Sequence, residues 1–355
     1  MKKITKLGII GLGASFKYRV NAIKNNQFSK LVGIAGNDKS RAKCLADEYN
    51  IPFCASSVKD LIESSEIDAV IIAVPPIYQP EIAGKSLNNG KHVLCEKPLG
   101  INREQIDKLI SVWEKSRLIG MVNFCYRFIT EIVQFKSHLE NGICGNVHLI
   151  DAQWILNNRL NTSLKLNWKG LKELGGGVLQ NYGVHVIDYL FHDIDNVKVI
   201  GSKQLTLKTA QINNMGFRQL CTGDDITNAI FCINNKNIVN LSLSLVTTPP
   251  IGHRVSAYGS TGTLVLENLN VTSPSGPFTL HLFKEDSING ECLSTLSNSN
   301  NINLSSLFTD VIDRFVDAIM NNDLEAEPSF YSGHKAFQII NRIQHKNLCN
   351  SSDNT

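Results

Sequence analysis

The sequence predicts an α/β protein in two parts: an N-terminal doubly wound parallel sheet, then an α+β domain with a mostly antiparallel open sheet. Three observations predict it. Short β-branched runs alternate with helix-period segments over residues 6–122, strand-like runs then follow one another with few helices between, and a glycine turn stands directly after the first strand. A length of 355 residues agrees with two domains at roughly 150 residues each. The division reads as 1–122, 123–345 and a tail, 346–355.

In the first part, Lys6–Ile10 reads as a strand, and Phe16, Val20 and Ile23 recur at i, i+4 and i+7, the spacing of a buried helical stripe. A strand at Leu31–Ala35, a helix over Ser40–Tyr49, a strand at Ala69–Val74, a helix near Glu81–Asn88 and a strand at His92–Cys95 follow. Asn102 and Gln105 form a capping pair ahead of the apolar stripe Ile106, Leu109, Ile110 and Trp113, and Ile119–Phe124 is the last strand. After a helix over Thr130–Asn141, the second part reads as strands over 145–156, 197–211, 226–234, 238–247, 253–258 and 263–267. Ser294–Asn303, rich in Ser and Asn, reads as a surface loop. Leu307, Val311, Phe315 and Ile319 restore helical spacing, and a final helix runs near Gly333–Gln344.

Charge narrows the partners. With 35 Lys+Arg against 32 Asp+Glu, a formal net charge of +3 and no basic run, the chain carries no footprint for nucleic acid or for a polybasic contact with a membrane. No stretch approaches the ~18 apolar residues of a membrane span, and Leu7–Leu12 is too short and glycine-broken for a signal peptide. The nine cysteines are odd in number and scattered without a C-x-x-C pair, which suits buried thiols in a reducing, cytoplasmic compartment. His92, His138, His148, His192 and His253 have no partner at ligand spacing, so no metal site is expected.

Gly11-Leu12-Gly13 follows the first strand and precedes a helix that begins near Ala14 and Ser15. The first glycine permits a tight turn and the second lets backbone N–H groups approach a pyrophosphate at the positive helix end. The third small residue of such a fingerprint would fall at Phe16, where a phenyl ring should hold the helix farther from the strand. Past the second strand, Ala35-Gly-Asn37-Asp38-Lys39-Ser-Arg41 has no carboxylate at the strand end itself. Asp38 is displaced, while Asn37, Lys39 and Arg41 suit a 2′-phosphate, so the cofactor reads as NAD or NADP with NADP favoured.

Two further segments are specific. Gly90–Pro98 ends a strand in Glu96-Lys97-Pro98, a charged pair at the carboxyl edge of the sheet, and Gly175-Gly-Gly177 precedes a helical pattern that includes Leu179, Val186 and Leu190. Asn181 and His185, four residues apart, project from one side of that helix. With Ala73-Val-Pro-Pro76, Asn123–Phe128, Gly142-x-x-Gly145, Trp168-Lys169 and Tyr258-Gly-x-x-Gly262 in order, nearly the whole chain resembles the Gfo/Idh/MocA oxidoreductases.

The resemblance implies an N-terminal Rossmann domain and an NAD(P)-dependent enzyme acting on a sugar, sugar nucleotide or polyol. His185 would exchange the hydroxyl proton as catalytic acid/base, Lys97 and Asn181 would hold the oxygen, and hydride would pass to nicotinamide C4. Val74, Pro75, Glu96 and Lys97 join the glycine turn as implied cofactor contacts. Tyr126, Arg127, Trp168 and Tyr182 join the catalytic residues as implied substrate contacts, with Trp154, Asn157, Asn158 and Arg159 as lesser candidates. A homodimer or homotetramer is implied. The chain departs from the family at Asn181, usually Asp, since an amide orients a hydroxyl but accepts no proton. It departs also at Gln79, often His. Asn181 and Phe16 favour an alternative, a non-catalytic dinucleotide-binding regulator of the same fold; Lys97 and His185 oppose it.

Overall fold

β1 (Thr5–Ile10) leads through the Gly11–Gly13 turn into α1 (Phe16–Asn25), whose stripe Phe16, Val20 and Ile23 is buried as its spacing demands. The computed structural model describes residues 4–161, 163–207, 209–213, 215–273, 276–284, 291–292 and 304–346. The alternation continues through β2 (Ser29–Ala35), α2 (Lys39–Tyr49), β3 (Phe53–Cys54), α3 (Val58–Glu63), β4 (Ala69–Ile72), α4 (Gln79–Asn88), β5 (His92–Cys95), α5 (Arg103–Ser116) and β6 (Gly120–Val122). The strands pair in the order β3-β2-β1-β4-β5-β6, all parallel. β4 is buried along its whole length, as an apolar run at the centre of such a sheet must be. Asn102 caps α5 by accepting the Gln105 N–H at 3.0 Å. β3 and α3 escape a periodicity reading because two and six residues are too short to show a period.

The second unit opens with α6 (Thr130–Glu140) and β7 (Val147–Ile155). A π turn, Leu179–Gly183, runs into α7 (Val184–Phe191), every residue of which is buried. β8 (Val197–Leu205), the hairpin of β9 (Ala210–Ile212) and β10 (Arg218–Leu220), β11 (Ile226–Ile233), β12 (Asn237–Ser244), β13 (Gly252–Gly259), β14 (Thr263–Asn268), β15 (Thr279–Phe283) and β16 (Glu291–Cys292) follow. Eight strands form one sheet, β16-β15-β14-β13-β7-β12-β11-β8, antiparallel except for the β7–β12 pair. Along β11, Thr227, Ala229, Phe231 and Ile233 alternate into the core. The single strand expected over 197–211 is broken. Asp225 takes the Leu207 N–H at 2.8 Å, and β8 ends at Leu205 before β9 begins.

α8 (Leu304–Asn321) and α9 (Phe330–His345) complete the chain. The described residues divide into two compact units, one drawn from 4–125 and 304–337, the other from 126–292 and 338–346. This differs from the sequence division at 122, which gave everything up to 345 to the second part. Periodicity shows that Leu307, Val311 and Phe315 must be covered, but not by what; their cover includes α1 of the first unit. The loop expected at Ser294–Asn303 lies outside the described residues. Among the described residues, no helix is long and apolar enough to cross a membrane.

Candidate active site

β1 and β4 are neighbours where the strand order of the sheet reverses, so the loops after Ile10 and Ile72 face a crevice at its carboxyl edge. Gly11 turns at φ +101°, and a Cβ there would lie 2.2 Å from the Ala73 carbonyl oxygen and against the Val74 side chain. Only glycine fits. A Cβ at Gly13 would meet open space. Among the described residues the N–H groups of Gly13, Ala14 and Ser15 have no backbone acceptor, and α1 has no acid in its first turn. Unbonded N–H groups at a helix start attract an anion, so a dinucleotide pyrophosphate fits this turn. Phe16 is buried with its ring edge-on to Tyr49, centroids 5.7 Å apart, so packing against α2 absorbs the aromatic side chain.

Past β2, Asn37, Lys39 and Arg41 are exposed. Asp38 caps α2 by accepting the Arg41 N–H at 2.9 Å, and Arg41 Nε donates to the Leu12 carbonyl at 3.0 Å. The one acid of this segment is therefore occupied, and Arg41 is held at the glycine turn.

β5 runs into Glu96-Lys97-Pro98, with a cis bond before Pro98. Gln79, wholly buried at the start of α4, donates from Nε2 to the Pro98 carbonyl at 2.7 Å. Glu96 accepts from Arg19 Nη2, from Asn123 Nδ2 at 2.8 Å and from the Lys97 N–H at 3.3 Å. Burial acts to raise the Glu96 pKa, but the Arg19 charge, the hydrogen bonds from Arg19 and Asn123, and Lys97 outweigh it and hold the carboxyl below its usual range. The burial of Cys95 pushes its thiol well above the usual range, which leaves it a packing residue.

In the second unit, Gly177 has φ +116°, and a Cβ there would lie 1.9 Å from Asp224 Oδ1. The other carboxylate oxygen, Oδ2, accepts the Leu179 N–H at 3.0 Å and the Thr227 hydroxyl at 2.6 Å. The glycine run thus seats Asp224 at the start of the histidine segment. Gly177→Ala is expected to cost about 3–5 kcal/mol, from left-handed strain plus loss of that seat, measured by urea unfolding. Asn181 donates from Nδ2 to the Gly177 carbonyl at 2.7 Å, a bond that a carboxylate could not make.

His185 is 6% exposed, in a cluster of rings. Its ring lies 4.3 Å from Tyr126 and 6.5 Å from Trp154 by centroids. Trp154 stacks on His253 at 4.1 Å and meets Tyr182 edge-on at 4.9 Å. The Tyr182 hydroxyl accepts from Asn158 Nδ2 at 3.1 Å. Burial pushes His253 down to about 3, so it stacks as a neutral ring, with Nε2 2.9 Å from the Tyr189 hydroxyl. Arg127 gives Nε and Nη2 to the buried carboxylate of Asp188, at 2.8 and 2.6 Å, so its fork ties Tyr126's neighbour to α7. Arg159 pairs with buried Asp225 at 3.3 Å. Trp168 is half-buried in a separate 3-10 turn, Trp168–Gly170.

Residues 5–124 match the oxidoreductase family with an NAD-binding Rossmann fold, and residues 132–265 match the GFO/IDH/MocA C-terminal domain. The chain belongs to the GFO/IDH/MocA oxidoreductase family. It is 25% identical over 268 residues to an uncharacterized oxidoreductase of Synechocystis sp., a match covering 75% of this chain and 72% of the relative. Its fold is like that of levoglucosan dehydrogenase in complex with NADH and L-sorbose, with a TM-score of 0.85 at 18% identity over 97% of this chain and 96% of that one. It is also like that of a 3-ketoreductase from Actinomadura kijaniata in complex with NADP and TDP-benzene, with a TM-score of 0.79 at 18% identity over 97% and 98%. At such identity the likeness concerns the fold alone.

In this GFO/IDH/MocA chain, the structure brings Val74 to Gly11, Arg41 to Leu12, and Tyr126 and Tyr182 into the cluster around His185. Sequence reasoning missed Arg19, Asp224 and the support that His253 gives Trp154. The signal for Arg19 was present: a charged residue three after Phe16 and four before Ile23, on the apolar stripe, needs a buried partner.

Proposed function

We propose that this NAD(P)-dependent oxidoreductase interconverts a hydroxyl and a carbonyl on a sugar, sugar nucleotide or polyol, with Lys97 and His185 acting on the reacting oxygen. The observation that carries the reading is Lys97, set at the carboxyl edge of β5 in the sheet whose β1 carries the glycine turn, its N–H bonded to Glu96. When bound, the nicotinamide supplies the hydride acceptor or donor at C4. The Lys97 ammonium steadies negative charge developing on the substrate oxygen. His185 exchanges the hydroxyl proton, since the Asn181 amide, bonded to the Gly177 carbonyl, titrates nowhere near neutrality. Half-buried Tyr182, with the exposed Asn158 amide on its hydroxyl, suits a sugar ring, which offers apolar C–H faces and hydroxyl edges, while fully buried Trp154 backs Tyr182 from the core. The sugar ligands named for the levoglucosan dehydrogenase support this substrate class.

NADP is the favoured cofactor. Asp38 is engaged in capping and Arg41 stands at the glycine turn, where a 2′-phosphate would meet positive charge in place of a carboxylate. Arg41→Ala is expected to raise the Kd for NADPH about five- to tenfold and to leave that for NADH within twofold, read by nicotinamide fluorescence. A cytoplasmic location is favoured by the free, exposed thiols of Cys44 and Cys54, which suit a reducing compartment. A homodimer or homotetramer is favoured by exposed apolar side chains on the large sheet, such as Ile200 and Tyr258. An initial-rate scan of polyols, sugars, sugar nucleotides and simple non-sugar alcohols at 340 nm with each cofactor tests the function; turnover with a sugar-like substrate supports it, and turnover confined to the non-sugar alcohols overturns the class.

A further inference from the structure

Arg19 joins the two functional loops of the first unit. It stands four residues after Ser15 on α1 and is 3% exposed. Its fork is divided: Nη1 donates to the Ser15 hydroxyl oxygen at 3.1 Å and Nη2 to Glu96 Oε1, with the Phe308 ring centroid 5.0 Å from the guanidinium carbon. Ser15 is the N-cap residue of α1, yet its side chain makes no cap bond to the helix. Glu96 in turn holds the Lys97 N–H at 3.3 Å and the Asn123 amide at 2.8 Å, while the Asn123 N–H is bonded to the Cys95 carbonyl at 2.7 Å. A planar fork with donors in fixed geometry thus ties the start of the pyrophosphate helix to the residue that precedes Lys97.

We propose that Arg19 is a positioning residue that couples dinucleotide binding at the Gly11–Ser15 turn to the placement of Lys97. The coupling rests on the reading of Lys97 given above. Any ligand that bonds the Ser15 N–H or hydroxyl pulls on one arm of a rigid fork, and the other arm carries the displacement to Glu96 and the Lys97 backbone. A lysine at this position keeps the charge but has one nitrogen on a flexible stem, so it cannot hold both acceptors in one geometry.

The test uses the full chain as Arg19→Lys, Lys97→Ala and both together. Hydrogen exchange is followed with and without NADPH, Kd by nicotinamide fluorescence, and kcat on the best substrate of the scan. In Arg19→Lys, NADPH is expected to go on slowing amide exchange at Gly11–Ser15 but to lose its effect at Glu96–Lys97. Its Kd rises about three- to tenfold and kcat falls about tenfold or more. The double variant is no slower than Lys97→Ala alone, because Arg19 acts through Lys97. Wild-type protection at Glu96–Lys97 in Arg19→Lys, or a kcat loss that multiplies in full onto Lys97→Ala, overturns the proposal. If Lys97→Ala itself turns over at the wild-type rate, the reading of Lys97 fails, and the exchange result alone decides the coupling. Should Arg19→Lys fail to fold, the pair Arg19→Met with Glu96→Gln removes both buried charges together and is expected to show the same loss of protection.

Discussion

Replacing Lys97 with alanine is expected to lower kcat about 10²–10³-fold, the cost of removing one well-placed electrostatic group from a developing oxyanion. The loss falls on kcat more than on dinucleotide affinity, because the glycine-turn N–H groups and the α1 start are untouched by the change. Lys97→Arg recovers little, since a planar fork does not replace a compact ammonium on a flexible stem. Steady-state kinetics with dinucleotide Kd measured alongside separates the two contributions. Equal losses in Kd and kcat/KM with kcat unchanged would assign Lys97 to uniform binding and remove it from the chemistry.

His185→Gln is expected to lower kcat about 10²–10⁴-fold, the usual range for a positioned acid/base. Glutamine keeps a similar volume beside Tyr126 and Trp154, so cavity formation is a minor cause of the loss. In the oxidation direction the neutral imidazole takes the hydroxyl proton and in reduction the protonated ring gives it, so the loss is expected in both directions of the reaction. Steady-state rates measured in both directions check this; a variant as fast as the wild type in either direction would show that another group moves the proton.

How much of the molecule is legible in the sequence depends on whether a residue's partner is near in the chain. The parallel sheet apart from β3, its helices apart from α3, the glycine turn and the Asn102 cap are legible because their signals are local: two- and 3.6-residue periods, or a cap three residues from its N–H. Lys97 and His185 stand out through ordered motifs, not through periodicity. What stays hidden is long-range. Arg19 finds Glu96 at 77 positions' distance, Leu179 finds Asp224 at 45, and Arg127 finds Asp188 at 61. The glycine run at 175–177 reads as allowing close backbone approach, and at Gly177 the group that approaches is the Asp224 carboxylate. Likewise the periodicity of α8 announces a buried stripe without saying that α1 helps to cover it.

Hydride transfer to or from a sugar carbon is tested most directly by isotope labelling. The full chain is incubated with NADPH or NADH deuterated at C4 of the nicotinamide and a panel of keto sugars, and the products are read by mass spectrometry. Incorporation of one deuterium at a sugar carbon, slowed about 10²-fold or more by Lys97→Ala and by His185→Gln, is the expected result. Tight dinucleotide binding with no deuterium in any sugar, or transfer that persists unchanged in both variants, would contradict it.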